Sequence, residues 1–195
     1  MTVTRWTRGG FLRAGLAGGG LAAGGAVMAN GGAPLAAQSD GTDARILNLF
    51  LTLEHVQAGF YRAAVQTDRL DGDLLRFATT VGAQEREHVA FLEDRLGDRA
   101  ERPPRSDFGD LLATPDDFRA AAIELEEAAI AAYIGQAANL SRGTLASVAT
   151  LVSVEARQAA WVRDLAKTSP APHAADPARP AEEILADLRR RGLIR

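Results

Sequence analysis

Two short runs put polar groups where a helix would bury apolar ones. Residues 84–88 read QEREH and residues 154–158 read VEARQ. A glutamate is thus followed one turn later by His88 in the first run and by Gln158 in the second, on the same helical face in each case. Glu85 lies between Val81 and Val89, and Glu155 lies among Leu151, Val152 and Ala159. Two further glutamates sit in the same way. Glu54 is at the centre of a stripe formed by Phe50, Leu51, Ala58 and Tyr61, and Glu126 falls between Ile123 and Ile130, seven residues before Tyr133. By contrast, Arg86, Glu87, Glu124 and Arg157 turn outward and read as ordinary solvated charges.

Four carboxylates converging in one apolar interior conflict with their own solvation, because each costs several kcal/mol if ionised and unpaired. The helices that carry them contain no lysine. A pair of divalent cations resolves the conflict. Carboxylates and imidazole suit iron or manganese, and two of the carboxylates can bridge the ions while the others bind terminally. The candidate metal ligands are therefore Glu54, Glu85, His88, Glu126 and Glu155, with Gln158 a weaker one, since it offers only a neutral amide oxygen. The competing reading keeps the acids protonated, or hydrogen-bonded to Tyr61, Tyr133 and water. His55, turned about 100° from Glu54, reads as a boundary residue, His173 as solvated, and Trp161 as a packing residue.

The elements that must position these groups repeat. LEHVQAGFY (53–61) aligns with LEEAAIAAY (125–133) at an offset of 72, and EREH with EARQ at an offset of 70. Apolar spacings of three and four predict helices over about 43–66, 72–96, 115–134 and 143–166, and no strand. Thr114 can cap the third helix, with Pro115 in its first turn followed by Asp116 and Asp117. Connections of about five residues join the first two helices and the last two, so each pair should form an antiparallel hairpin. Residues 97–114 are a longer joint with Pro103 and Pro104. Extended, it reaches up to about 60 Å, whereas a 24-residue helix is about 36 Å long, so it can cross the whole bundle. The expected fold is all-α: a ferritin-like four-helix bundle of two antiparallel hairpins joined by a long crossover, over residues 43–167. A Pro-rich linker (168–180) then leads to a short C-terminal helix within 181–195, acidic at its start and basic at its end.

Residues 1–37 read as an export signal. They carry Arg5, Arg8 and Arg13, no acid, and a glycine-diluted apolar stretch. Its length of about 16 residues is short of the roughly 20 that a spanning helix wants. Thr7, Arg8, Phe11, Leu12 and Arg13 fit a twin-arginine pattern, but Gly9 stands where the second arginine belongs, which leaves the ordinary secretory route open. Cleavage fits after either Ala29 or Ala37. The expected location is exported: periplasm, cell envelope or extracellular, with membrane contact only transient, through the signal. The chain has no cysteine, which excludes disulfides, thiolate metal sites and a lipid-modified cysteine anchor. Its net charge of -3 and the absence of a basic stripe argue against nucleic acid as a partner. The expected partners are metal ions, and homo-oligomerisation is left open.

The ordered set LNLFLTLEHVQAGFYRAA, EREHVAFL, ELEEAAIAAYIG and SVEARQAAWVRDL, within about 45–167, resembles the ferritin-like superfamily, and in particular exported bacterial ferritin-like domain proteins, some of them stress- or desiccation-related. The resemblance implies a di-iron or di-manganese carboxylate centre with redox or oxygen chemistry. Glu54, Glu85 and His88 would form one half-site and Glu126 and Glu155 most of the other, while Gln158 stands where that pattern has histidine, which leaves a labile, water-filled or lost second position, and so a mononuclear centre, as the alternative to a dinuclear one. Three functions follow: a metal-dependent oxidase or peroxide-handling protein, a scaffold that keeps the bundle without the metal, and an iron-storage cage, for which the signal and the C-terminal linker give little support.

Overall fold

A computed structural model describes residues 35–194; the part of the expected export signal before residue 35 lies outside the described residues. Five α-helices are present: α1 Leu35–Gln66, α2 Gly72–Leu96, α3 Pro115–Gln136, α4 Arg142–Leu165 and α5 Ala181–Arg190. No strand occurs among the described residues. α1 starts eight residues before the expected Asp43. Backbone hydrogen bonding carries the helix upstream, while the apolar stripe that marks it in the sequence starts only near Ala44 and Ile46, which are buried. The helix starts follow local chemistry. Thr114 accepts a hydrogen bond from the Asp117 amide at 3.1 Å ahead of Pro115, and the Ser141 side chain accepts from the Thr144 amide at 3.4 Å ahead of α4.

α1 packs on α2 and on α3, and α4 packs on α3 and on α2. Cross-helix pairs give the directions. Arg99, three residues after α2, meets the early part of α1, donating to the Asp40 carbonyl at 3.3 Å and accepting from Asn48 at 2.9 Å. Arg95, late in α2, donates to Ser147, early in α4, at 2.8 Å, while Phe77, early in α2, meets Trp161, late in α4, edge-on at 5.1 Å. Both pairs are therefore antiparallel. Tyr61 with Glu126, and Tyr133 with Glu54, set α1 antiparallel to α3. α2 and α3 consequently run in the same direction, and the chain between them must return the length of the bundle.

The crossover makes that return along α1. It is held at Asn48, whose Oδ1 also accepts from the Glu101 amide at 2.9 Å, and at its far end by Arg69, which donates to the Leu112 carbonyl at 3.0 Å. Between these points Phe108 packs edge-on against Phe60 at 5.6 Å. From residue 48 to the end of α1 at Gln66 is about 27 Å along the helix, so the crossover runs beside more than half of α1.

α3 is touched by α1, α4 and α5, which explains why Ala121, Ala122, Ala129, Ala131 and Ala132 are all buried on it. The backbone amide of Arg179 donates to the Ala131 carbonyl at 3.1 Å, and the Arg179 carbonyl passes so close to Gly135 that a Cβ there would stand 2.2 Å from it. Ile184, Leu188, Leu193 and Ile194 are then buried against the bundle. No described helix is long and apolar enough to cross a membrane.

Candidate metal centre

The apolar stripes of the four helices face one another, so any polar residue at the centre of a stripe is carried into the middle of the bundle. The structure places Glu54 from α1, Glu85 and His88 from α2, Glu126 from α3, and Glu155 and Gln158 from α4 all in the buried interior, the four glutamates at 0% exposure. Glu54, Glu85, His88 and Glu155 each present one ligand atom, and those atoms all lie within 4.8 Å of one another. Glu126 stands beside this group rather than within it.

His88 is the hub. Its Nδ1 lies 3.0 Å from Glu155 Oε1, 3.2 Å from Glu54 Oε2 and 3.4 Å from Glu85 Oε2. A single ring N–H cannot serve three acceptors. Its hydrogen bond goes to Glu54, and Glu155 Oε1, although nearer, has no hydrogen-bond partner. Neither oxygen of Glu85 has one either. Buried carboxylate oxygens without donors are costly. A cation with several coordination positions supplies what one proton cannot. Three carboxylates and an imidazole are donors that fit iron or manganese.

The remaining oxygens are held by neighbours. Tyr133 donates to Glu54 Oε1 at 2.5 Å, and Tyr61 donates to Glu126 Oε1. The sequence repeat is thereby written into the site, since each hairpin's tyrosine serves the other hairpin's glutamate. Gly82 brings α2 close to α1 beside Tyr61, where an added Cβ would stand 2.9 Å from the tyrosine Cβ. Phe60, Phe77 and Phe118 surround the Tyr61 ring at 5.3, 5.8 and 6.1 Å.

Every resolved shift among these glutamates, tyrosines and His88 has the same sign. Burial, reinforced by the neighbouring carboxylates, pushes Glu85, Glu126 and Glu155 above the ordinary 4.5 and raises both tyrosines well above 10.0. Burial alone would lower His88, but Glu155, Glu54 and Glu85 around it raise it from 6.5 to about 12. The metal-free cluster therefore holds protons tightly, as a group that must offset its own negative charge.

Gln57 is a member of the site that the sequence reading passed over. It is 1% exposed, and its Nε2 donates to Glu126 Oε2 and to Glu155 Oε2, each at 3.2 Å. Its position three residues after Glu54 puts it on the inward face of α1, which was a visible signal, although a neutral amide asks for no partner in the way a carboxylate does. Gln84 was also passed over. It accepts from Gln158 Nε2 at 3.0 Å, leaving Gln158 Oε1 buried without a partner. His55 lies partly buried, 3.8 Å from Glu93 and away from the cluster, and His173 is exposed on the linker.

Comparison with curated proteins finds no match to the chain. Residues 42–168 match the ferritin-like domain family, a span that contains all four bundle helices from Thr42 onward together with the carboxylate–histidine cluster. With this match over most of its length and the crossover bundle expected of such a fold, the chain belongs to the ferritin-like domain family.

Proposed function

We propose that this is an exported protein that binds iron or manganese in its buried carboxylate–histidine cluster and uses the metal in oxidase or peroxide-handling chemistry. The observation that carries the reading is the convergence of ligand atoms from Glu54, Glu85, His88 and Glu155 within 4.8 Å, with both Glu85 oxygens lacking a donor. When bound, iron or manganese supplies one-electron redox chemistry and a Lewis-acidic centre. The chain's own contribution is geometric and electrostatic. Tyr133 fixes the orientation of Glu54, the aromatic shell around Tyr61 keeps bulk water away, and the His88 Nδ1 proton must leave as a cation enters. Export is supported by the basic, acid-free residues 1–37. How many ions the cluster takes depends on the surroundings of Glu126.

Anaerobic calorimetric titration of the protein with Fe(II) and with Mn(II), repeated on Glu85→Ala, tests the binding, and oxygen or peroxide consumption by the iron-loaded protein tests the chemistry. Saturable binding that Glu85→Ala abolishes is expected. Binding heats indistinguishable from buffer, with an unchanged melting temperature, would overturn the reading.

A second reading, a metal-free scaffold of the cell envelope, is favoured by one feature. Gln158 replaces an imidazole with an amide whose nitrogen is committed to Gln84. Gln158→His discriminates, because metal binding that appears only in that variant identifies the parent as a scaffold.

A further inference from the structure

The two halves of the cluster are not equivalent, and the difference lies in Gln57. The offset of 72 that maps Glu54 onto Glu126 and Tyr61 onto Tyr133 maps Gln57 onto Ala129. Of the paired helices α1 and α3, therefore, only α1 brings an amide into the centre. That amide's NH2 group has two hydrogens and two acceptors at equal distance, Glu126 Oε2 and Glu155 Oε2, each 3.2 Å from Nε2. These are the carboxylates of α3 and α4 that a second cation would have to share.

Oxygen by oxygen, the carboxylates divide. Both oxygens of Glu126 are served by protein donors, Tyr61 on one and Gln57 on the other. Neither oxygen of Glu85 is served by any. Glu126 is correspondingly absent from the group of ligand atoms that lie within 4.8 Å of one another. A cation between Glu126 and Glu155 needs lone pairs at about 2.0–2.2 Å, whereas the Gln57 nitrogen presents hydrogens there. Its carbonyl oxygen, the end that could bind a cation, is buried without a partner elsewhere. Gln158, with its nitrogen on Gln84, adds no imidazole on that side.

We infer that Gln57 sets the number of metal ions: its amide occupies the place of a second cation between Glu126 and Glu155, so that the protein holds a single ion at Glu54, Glu85, His88 and Glu155. The inference rests on the metal-binding reading above and decides between the dinuclear centre favoured by the sequence and its mononuclear alternative, assigning to Gln57 the choice that the sequence had tied to Gln158. Gln57 acts through the carboxylates it holds and is a specificity-determining residue for metal stoichiometry.

The test is equilibrium dialysis of the full chain against Mn(II), with bound metal measured by elemental analysis and by electron paramagnetic resonance, alongside Gln57→Glu and Gln57→Ala, both checked for folding by circular dichroism. The wild type should bind one ion per chain with the spectrum of an isolated Mn(II). Gln57→Glu, which replaces the donor with an acceptor of the same shape, should bind two with an exchange-coupled spectrum, and Gln57→Ala should gain a weaker second ion. Two ions in the wild type overturn the inference and leave the metal-binding reading standing. One ion in the wild type and in every folded variant also overturns it. No ion in any of the three overturns both. The wild-type stoichiometry needs no variant to fold.

Discussion

Tyr133 on α3 donates its hydroxyl to Glu54 Oε1 on α1 over 2.5 Å, and seventy-two residues earlier Tyr61 on α1 does the same for Glu126 on α3. The hairpins are thus cross-linked at the site by two reciprocal hydrogen bonds, each placed on a carboxylate that has no access to water. In the metal-free protein, Tyr133→Phe should cost about 1–3 kcal/mol, the usual penalty for leaving a buried acceptor unserved. The cost should shrink when Mn(II) is present, because a cation takes over part of the charge on Glu54. Urea denaturation with and without the metal measures both.

The pH dependence has a defined sign. Glu85, Glu126 and Glu155 have folded values raised above the ordinary 4.5, so the stability they contribute to the metal-free protein is fully present below 4.5 and is lost as pH rises through the raised values. His88, raised from 6.5 to about 12, contributes in the same direction over a higher window. Metal binding competes with these protons. The gain in melting temperature on adding Mn(II) should therefore grow between pH 5 and pH 8, as read by thermal denaturation at matched metal concentration. A gain independent of pH would contradict a cation bound at these groups.

Asp43 ties the early part of α1 to the start of α4. It is buried, and it accepts from the Ser141 amide at 2.9 Å, the Ser141 hydroxyl at 2.5 Å and the Thr144 hydroxyl at 2.6 Å. Burial alone would raise its carboxyl, but the bonds from Ser141 and Thr144 outweigh it and hold it below 3.8. Asp43→Ala should destabilise by about 1–3 kcal/mol at neutral pH. Because the folded value is lowered, that stability is present above 3.8 and is lost as pH falls through the lowered value, so the difference between variant and parent should narrow in acid. Chemical denaturation at several pH values follows the narrowing.

Gly135→Ala tests the docking of the C-terminal segment. The added methyl would stand 2.2 Å from the Arg179 carbonyl, so residues 179–194 must shift off α3 or lose their burial. Limited proteolysis should show faster cleavage within 168–180, while Mn(II) affinity stays unchanged, because the cluster lies on other faces of the bundle helices. Equal protease resistance would mean that α3 and the linker can move apart without undocking α5.

Much of this architecture is legible in the sequence. The spacing of Phe50, Leu51, Ala58 and Tyr61 around Glu54 is enough to point that carboxylate inward, and the length of residues 97–114 is enough to allow a crossover bundle. What was not legible shares one cause. Gln57, Gln84 and Asp43 matter because of partners 69, 74 and 98 residues away in the chain, and a neutral amide or a lone aspartate does not announce such partners by periodicity. The early start of α1 escaped for a different reason, since Leu35–Thr42 forms helix without the apolar face by which a helix is recognised.

The central claim is that a single cation sits among Glu54, Glu85, His88 and Glu155. Its most direct test is a crystal structure of the Mn(II)-loaded protein with data collected at the manganese absorption edge. The account predicts one anomalous peak per chain, within bonding distance of those four side chains and not of Glu126. A peak between Glu126 and Glu155, or no peak in the bundle interior, would contradict it.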